Sequence, residues 1–312
     1  MRIAVTGASG FIGGAIAGEL SRQGHVVHAF GRRHAGGTVS LLPNYRRWDI
    51  RHPLKQIPVV DAVVHCAALV GDWGDDAEYQ RTNVAGTRRV LETFRGAERF
   101  VHVSSASVYS RNQETTHLSE SAQTGIELLT AYARSKADAE ALLLAERPDA
   151  AILRPHIVYG PGDSTLMPRV VAARRFGCLA VPGSGLNRVS VTHILNLTHA
   201  VERAIGCKTA KGFFNVADRD SVSVDDLLQT LLQREGYPTR LVHLPRIAAW
   251  TLASIAEYLW RASGAKHAPR LSRYLVQQVA YGHTLDISRA VDLLAYDPCY
   301  DYQSLVAVQE SQ

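Results

Sequence analysis

Apolar positions along the first two thirds of the chain fall into two alternating kinds of run. Arg2-Ile3-Ala4-Val5-Thr6, Val26-Val27-His28-Ala29-Phe30, Val59 to His65, Phe100-Val101-His102-Val103 and Ala150 to Leu153 are short and close to continuously apolar, as strands covered on both faces are. Asp49-Ile50 closes a further strand. Between these runs lie stretches with apolar residues at helical spacing. One extends through Leu20, one opens at Asn83-Val84-Ala85-Gly86-Thr87, and one contains Tyr132 to Ala137. Strands interleaved with helical stretches of about 10–15 residues predict an α/β fold, a doubly wound parallel sheet with helices on both faces.

The junction between the first strand and the first helix reads Thr6-Gly7-Ala8-Ser9-Gly10-Phe11-Ile12-Gly13. Gly7 permits a tight turn, Gly10 lets the backbone approach a pyrophosphate, and Gly13 lets the helix pack close to the strand. The helix N-terminus then offers free N–H groups and the positive end of its dipole to the phosphates. This arrangement predicts a Rossmann-type dinucleotide site. The end of the second strand selects the dinucleotide. An acidic side chain there would accept hydrogen bonds from the ribose 2′-hydroxyl of NAD. This chain has Gly31, then Arg32 and Arg33. A 2′-phosphate suits a glycine and pairs with guanidinium, so the expected cofactor is NADP(H) rather than NAD(H), with Arg32 as first contact and Arg33 as second. Cys66-Ala67-Ala68, small residues after the third apolar run, let the backbone lie beside the cofactor.

The spacing G-x-x-G-x-x-G resembles the T-G-x-x-G-F-I-G opening of the extended short-chain dehydrogenase/reductase family. The likeness continues through Asn83-Val84-Ala85-Gly86-Thr87, Ser104-Ser105-Ala106-Ser107-Val108-Tyr109, Tyr132-Ala133-Arg134-Ser135-Lys136 and Arg154-Pro155-His156-Ile157-Val158-Tyr159-Gly160-Pro161-Gly162. It closes on Asp286-Ile287-Ser288-Arg289-Ala290 and Leu294-Ala295-Tyr296-Asp297-Pro298, with Ala295 in place of the family's glycine. It therefore spans residue 2 to about residue 300. The resemblance implies that Gly7, Ser9, Gly10, Phe11, Ile12, Gly13 and Asn83 contribute to the cofactor site. It sets Asp49 and Ile50 against adenine, turns Ser104 towards the cofactor, and puts Pro155 and His156 beside the nicotinamide. It also implies a homodimer formed through the helices that follow Asn83 and contain Tyr132.

The chemistry falls on two spots. Ser105 stands at the carboxyl end of a strand, where an open parallel sheet faces its ligand crevice. Tyr132 and Lys136 share a helix face. An ammonium beside a phenol favours phenolate and would draw the tyrosine down from its usual value near 10. Tyr132 can then exchange a proton with a carbonyl or alcohol oxygen while a hydride moves to or from nicotinamide. Lys136 would also hold the nicotinamide ribose, and Ser105 would polarise the substrate oxygen. In the family register Ser105 is the catalytic serine, with Ser107 as second candidate. His156 is expected as a hydrogen-bonded wall residue and His193 as structural, with Asn196 capping a helix or tethering a loop.

The second half is less patterned. Gly212-Phe213-Phe214-Asn215-Val216-Ala217 reads as the last strand of the sheet, and Ser223 caps a helix with an acidic first turn. The expected division is a dinucleotide-binding domain over 1–162, completed by about 189–217. A smaller, mostly helical substrate-binding domain takes 163–188 and 218–312. Pro245 to Trp260 is a strongly apolar helical segment, whose layout resembles the 3β-hydroxysteroid dehydrogenase-like branch, including bacterial reductases of bulky β-keto acids. It reads as a lid over a hydrophobic substrate, as a membrane-surface contact, or as an ordinary core or dimer helix.

Composition narrows the function further. The net charge is +5, and the arginines come as scattered pairs, too thin for a nucleic-acid partner. The 4 cysteines include no C-x-x-C, so neither a metal site nor a disulfide framework is expected, and a reducing cytoplasm fits. No signal peptide is evident, and the apolar stretch Ile247 to Ala256 is too short to span a bilayer. The expected activity is an NADP(H)-dependent oxidoreductase interconverting a ketone and a secondary alcohol on a bulky small-molecule substrate. The alternative is a sugar-nucleotide epimerase or reductase using the same three residues. Ala106 and Ser107 stand where dehydratases of the family carry an acidic pair, and the presence of both Tyr132 and Lys136 disfavours a binding protein without turnover.

Overall fold

The computed structural model describes residues 1–34, 44–110, 113–265 and 268–302. The chain runs β1 (Arg2–Thr6), α1 (Phe11–Arg22), β2 (Val26–Gly31), the short β3 (Arg46–Arg47) and β4 (Ala62–His65). A helical stretch follows as α2 (Asp76–Tyr79), a π-helical turn at Gln80–Val84 and α3 (Ala85–Thr93). After β5 (Arg99–Val103) comes a 3-10 turn at Ala106–Val108, then β6 (Thr115–Leu118), α4 (Ala131–Glu146), β7 (Ala151–Pro155), β8 (Ile157–Tyr159) and α5 (Leu166–Ala173). The chain continues through β9 (Cys178–Pro182), β10 (Arg188–Val189), β11 (Val191–His193), α6 (Ile194–Gly206) and β12 (Gly212–Val216). It ends with β13 (Val222–Ser223), α7 (Val224–Arg234), β14 (Arg240–Leu244), α8 (Arg246–Ala262), α9 (Arg273–Ala280), β15 (His283–Leu285) and α10 (Ser288–Leu294).

The main sheet has seven strands in the order β12-β7-β5-β4-β1-β2-β3, and every pair in it is parallel. Alternate residues of each strand enter opposite cores. Ile3 and Val5 of β1 pack with Ile16, Ala17 and Leu20 of α1 and with Leu197, Ala200 and Val201 of α6. Ala4, between them, faces the other core, built on Val90, Leu91 and Phe94 and on Leu143 of α4. That two-sided burial is why the strands read as continuous apolar runs rather than alternating ones. The order reverses between β1 and β4, and at such a switch point the carboxyl ends of two neighbouring strands open a crevice.

Three boundaries differ from the sequence expectation. The strand expected from Val59 begins at Ala62, and Val59 is 71% exposed. The ladder with β1 opens only there, because Asp61 accepts the Arg2 backbone N–H at 2.7 Å and closes the end of the pair. Asp49-Ile50 lies beyond its strand, since β2 stops at Gly31 and β3 pairs only with Phe30 and Gly31. Asn83 does not open its helix. The helix begins at Asp76, capped by Asp75, and Asn83 sits within the π-helical turn.

Outside the seven-stranded sheet lie α5, α7, α8 and α9 and the short strands. These include the four-stranded sheet β13-β10-β15-β6 and the pairs β11-β8 and β14-β9. Here α8 packs through small residues. Ala249 and Ala253 are fully buried beside Val276 and Ala280 of α9, and buried Glu257 accepts the Arg273 N–H at 2.7 Å. Its large apolar residues, among them Ile247 and Tyr258, face outward, so it is not an ordinary core helix. Among the described residues no helix is long and apolar enough to cross a membrane. Asn196 tethers the far end of the chain, accepting from the backbone of Cys299 and Tyr300 at 3.1 Å, while His193 caps α6.

Candidate active site

A cleft of about 490 Å³ opens over the switch point. The glycine-rich turn forms its floor, and Gly7, Ser9, Gly10, Phe11, Ile12 and Gly13 all border it. Gly7 has φ +74°, and a Cβ on it would lie 2.7 Å from the Ala67 nitrogen; a Cβ on Gly13 would lie 2.4 Å from the Gly7 carbonyl oxygen. The turn therefore closes only with glycine at these places. Gly10 caps α1 without a side-chain hydrogen bond, and the first turn of α1 holds no acidic residue. Its N–H groups and dipole are left for an anion. This cradle fits the pyrophosphate of a dinucleotide.

Gly31, Arg32 and Arg33 border the outer end of the cleft. Ser9 and Tyr45 crowd Gly31, so a carboxylate side chain there would have to push them aside. Both arginine side chains are exposed, while the carbonyls of Arg32 and Arg33 are held by Arg47 Nε at 3.1 Å and the Tyr45 hydroxyl at 2.6 Å. The loop is thus fixed by its backbone and its two guanidinium groups are left towards solvent and cleft. Asp49 is engaged with Arg51 at 2.6 Å, which holds its carboxyl down at about 2. Phe30, Trp48 and Ile50 supply an apolar wall beside it. The sequence expectation missed Trp48, whose position next to Asp49 is the only signal for it.

Cys66, Ala67 and Ala68 form the facing wall. Burial pushes the Cys66 thiol up to about 12, so it is inert as a nucleophile. The wall is fastened from behind by a hydrogen-bond chain whose directions follow from one another. Thr87 Oγ1 donates to the Asn83 carbonyl, so it accepts from His65 Nε2 at 2.9 Å. His65 Nδ1 then accepts from Thr6 Oγ1 at 2.7 Å, and Thr6 Oγ1 accepts the Ala67 N–H. Asn83 departs from its expected role. Its side chain holds both the N–H and the carbonyl of Leu69 and donates to Ser135 Oγ at 2.8 Å, and it does not border the cleft. Thr82 does so instead.

At the end of β5 the two expected serines diverge. Ser104 borders the cleft, yet its hydroxyl donates to Glu140 Oε1 at 2.6 Å rather than pointing outward. Ser105 caps the following turn. Its Oγ accepts the Ser107 N–H at 3.1 Å, which leaves its proton free to donate, and it acts on the Tyr132 phenol as a hydrogen-bond partner. Ser107 is buried, its hydroxyl has no partner among the described residues, and it does not border the cleft. Ser105 is therefore the serine that the fold presents.

Thr130 caps α4 by accepting the Ala133 N–H, which starts the helix so that Tyr132 lies on the cleft. Burial, with Tyr274 nearby, holds the Tyr132 phenol above its usual value, against the opposing pull of Ser105. Lys136 is 2% exposed and lies beneath the cleft. Its Nζ donates to the Val103 carbonyl at 2.8 Å and meets His102 Nε2 at 3.1 Å. The expectation that its charge would draw Tyr132 down is corrected here. The ammonium spends two contacts on the sheet, at Val103 and His102, and it is not among the groups acting on the phenol. Burial lowers Lys136 itself to about 8, with Glu140 and Cys66 opposing.

One turn along α4, Glu140 forms a bidentate pair with Arg154 at 2.6 and 3.0 Å, both side chains at most 3% exposed. Arg154 also donates to the Tyr109 hydroxyl at 2.8 Å and stacks 3.8 Å over Phe213. Pro155 and His156 border the cleft from β7. His156 Nδ1 donates to the Ser190 carbonyl, and the ring stacks on His283 at 5.2 Å, the geometry of a fixed wall. On the outer side Arg169 of α5 lines the cleft and pairs with Asp72 at 2.5 Å, a contact between remote segments that no local pattern announces.

The chain matches the model of the NAD dependent epimerase/dehydratase family over residues 3–217. It is 33% identical to 2-alkyl-3-oxoalkanoate reductase of Stenotrophomonas maltophilia, covering 96% of this chain and 95% of that protein. It is 30% identical to 4-hydroxy-2-methyl-3-oxo-4-farnesyl-3,4-dihydroquinoline-1-oxide ketoreductase of Stigmatella aurantiaca, over 88% and 86% of the two chains. Among solved structures it is similar to MoeE5 in complex with UDP-glucose and NAD, with TM-score 0.75, 24% identity and coverage of 100% and 99%. The last likeness speaks for the fold alone. The chain belongs to the NAD dependent epimerase/dehydratase family and is an NAD(P)-dependent oxidoreductase of the extended short-chain dehydrogenase/reductase type.

Proposed function

We propose that this protein is an NADPH-dependent ketoreductase that converts a bulky 3-oxo acid to the 3-hydroxy acid, with Ser105, Tyr132 and Lys136 handling the proton. The observation that carries this reading is the meeting of Ser105 and Tyr132 on the cleft over the glycine cradle. Reduction of a ketone needs a proton on the side chain that faces the developing alkoxide, and a phenol carries one at neutral pH. Both named relatives are reductases of ketones.

The glycine turn and the start of α1 would hold the pyrophosphate, Ile50 and Trp48 would flank adenine, and Pro155 and His156 would wall the nicotinamide, which supplies the hydride. The chain's own residues do the rest. Ser105 donates a hydrogen bond to the ketone oxygen and polarises it. Tyr132 gives its phenolic proton to that oxygen as negative charge grows there, and Lys136 lies behind the tyrosine on the same helix face. We assign residues 163–188 and those from 218 onward to the substrate side. Arg169 lines the cleft on that side, with its guanidinium held by Asp72.

The cofactor preference rests on Gly31 and on the guanidinium groups of Arg32 and Arg33. Rates measured with NADPH and NADH on a 2-alkyl-3-oxo acid test it. The wild type is expected to favour NADPH, and Arg32→Ala to lose about tenfold in kcat/KM for NADPH, the worth of roughly one charge-assisted contact, with the NADH rate unchanged. Equal use of both cofactors by the wild type would overturn the assignment.

A further inference from the structure

Behind the cleft, at the centre of the sheet, two imidazoles lie side by side. His65 of β4 and His102 of β5 are 0% and 1% exposed, with ring centroids 5.0 Å apart. His65 is fully engaged by Thr6 and Thr87. His102 is not. Its Nε2 meets Lys136 Nζ at 3.1 Å, and its Nδ1 has no partner among the described residues. An unpaired buried nitrogen costs stability, and a phenylalanine of similar outline would avoid that cost. What the phenylalanine would lack is the acceptor for the lysine.

We propose that His102 is a positioning residue for Lys136, accepting a hydrogen bond from the ammonium through Nε2 so that His102 and the Val103 carbonyl together fix two of its N–H bonds and aim the third away from the sheet. The proposal rests on the reading of Lys136 as part of the proton-handling group. Among the described residues Nδ1 has no partner, so the contact with Lys136 is the hydrogen bond through which the ring acts on the site. With Lys136 charged, Nε2 is the acceptor and Nδ1 carries the hydrogen.

The charges around Lys136 set the direction of the expected effect. Glu140 on its own helix and Cys66 at the end of β4 favour the ammonium, while burial opposes it and leaves Lys136 at about 8. Glu140 is itself held by Arg154 of β7. His65 and His102 stay neutral, both depressed by burial and by Lys136. Loss of the His102 acceptor removes a hydrogen bond to the charged form, so Lys136 gives up its proton at lower pH.

The test is the pH profile of ketone reduction by the wild type and by His102→Phe, His102→Gln and His102→Asn, with NADPH binding and thermal melting as controls. Glutamine can place its amide oxygen near the position of Nε2, whereas asparagine falls short. The alkaline limb is expected near pH 8 in the wild type. In His102→Phe and His102→Asn it should move down by about one pH unit, with kcat lowered about tenfold and KM unchanged. In His102→Gln it should return towards the wild type. Should His102→Phe fail to fold, the glutamine and asparagine pair decides alone. An alkaline limb that stays at the wild-type position in folded His102→Phe or His102→Asn overturns the proposal. Lys136→Met is the separate control. If it keeps both activity and the alkaline limb, the reading of Lys136 has failed, whatever His102 does.

Discussion

Tyr132→Phe is expected to lower kcat by about 10²- to 10⁴-fold, the usual worth of a positioned general acid, while leaving NADPH binding within about twofold. The substitution removes one oxygen and keeps the ring in its place at the head of α4. The phenol has no other structural duty among the described residues that would confound the result, since the start of the helix is secured by Thr130. Steady-state rates with fluorescence titration of NADPH separate the two effects. Turnover that survives the substitution would remove Tyr132 from the chemistry.

The largest expected loss of stability comes from Glu140→Ala. Arg154 would keep a guanidinium that is 1% exposed, with its counter-charge gone. Breaking a buried ion pair from one side costs about 3–5 kcal/mol, a large share of the roughly 5–15 kcal/mol that holds a typical domain. Ser104 would lose its acceptor as well, so the end of β5 that carries Ser105 would loosen. Denaturant unfolding should show the loss, and Glu140→Leu combined with Arg154→Met should recover part of it, because no unpaired charge then remains. A Glu140→Ala variant within about 1 kcal/mol of the wild type would mean that Arg154 finds its compensation elsewhere.

The local signals in the sequence were strong where the chain is governed by its neighbours in sequence. The glycine turn, most of the apolar runs of the sheet and the helix that carries Tyr132 and Lys136 all depend on residues a few positions apart, and the structure has these elements near their expected places. The signals were weak where direction or remote pairing decides. Spacing places Lys136 on the face of Tyr132 but does not say that its ammonium turns to Val103 and His102. Ser104 is adjacent to Ser105, yet only the fold brings Glu140 to it. Asn83 looked like a cofactor ligand because its segment has the family spacing, whereas its amide is spent on Leu69 and Ser135. The small sheet was illegible for the same reason. Thr115–Leu118 finds its partner only at His283–Leu285, a pairing that no local pattern encodes.

Isotope tracing follows the hydride from the nicotinamide to the ketone. Purified protein is supplied with a 2-alkyl-3-oxo acid and NADPH deuterated at the transferring position of the nicotinamide. One deuterium is expected at the new carbinol carbon for each NADPH consumed. Conversion of a sugar nucleotide with no net loss of NADPH, and no deuterium in the 3-oxo acid, would contradict it and point to an epimerase.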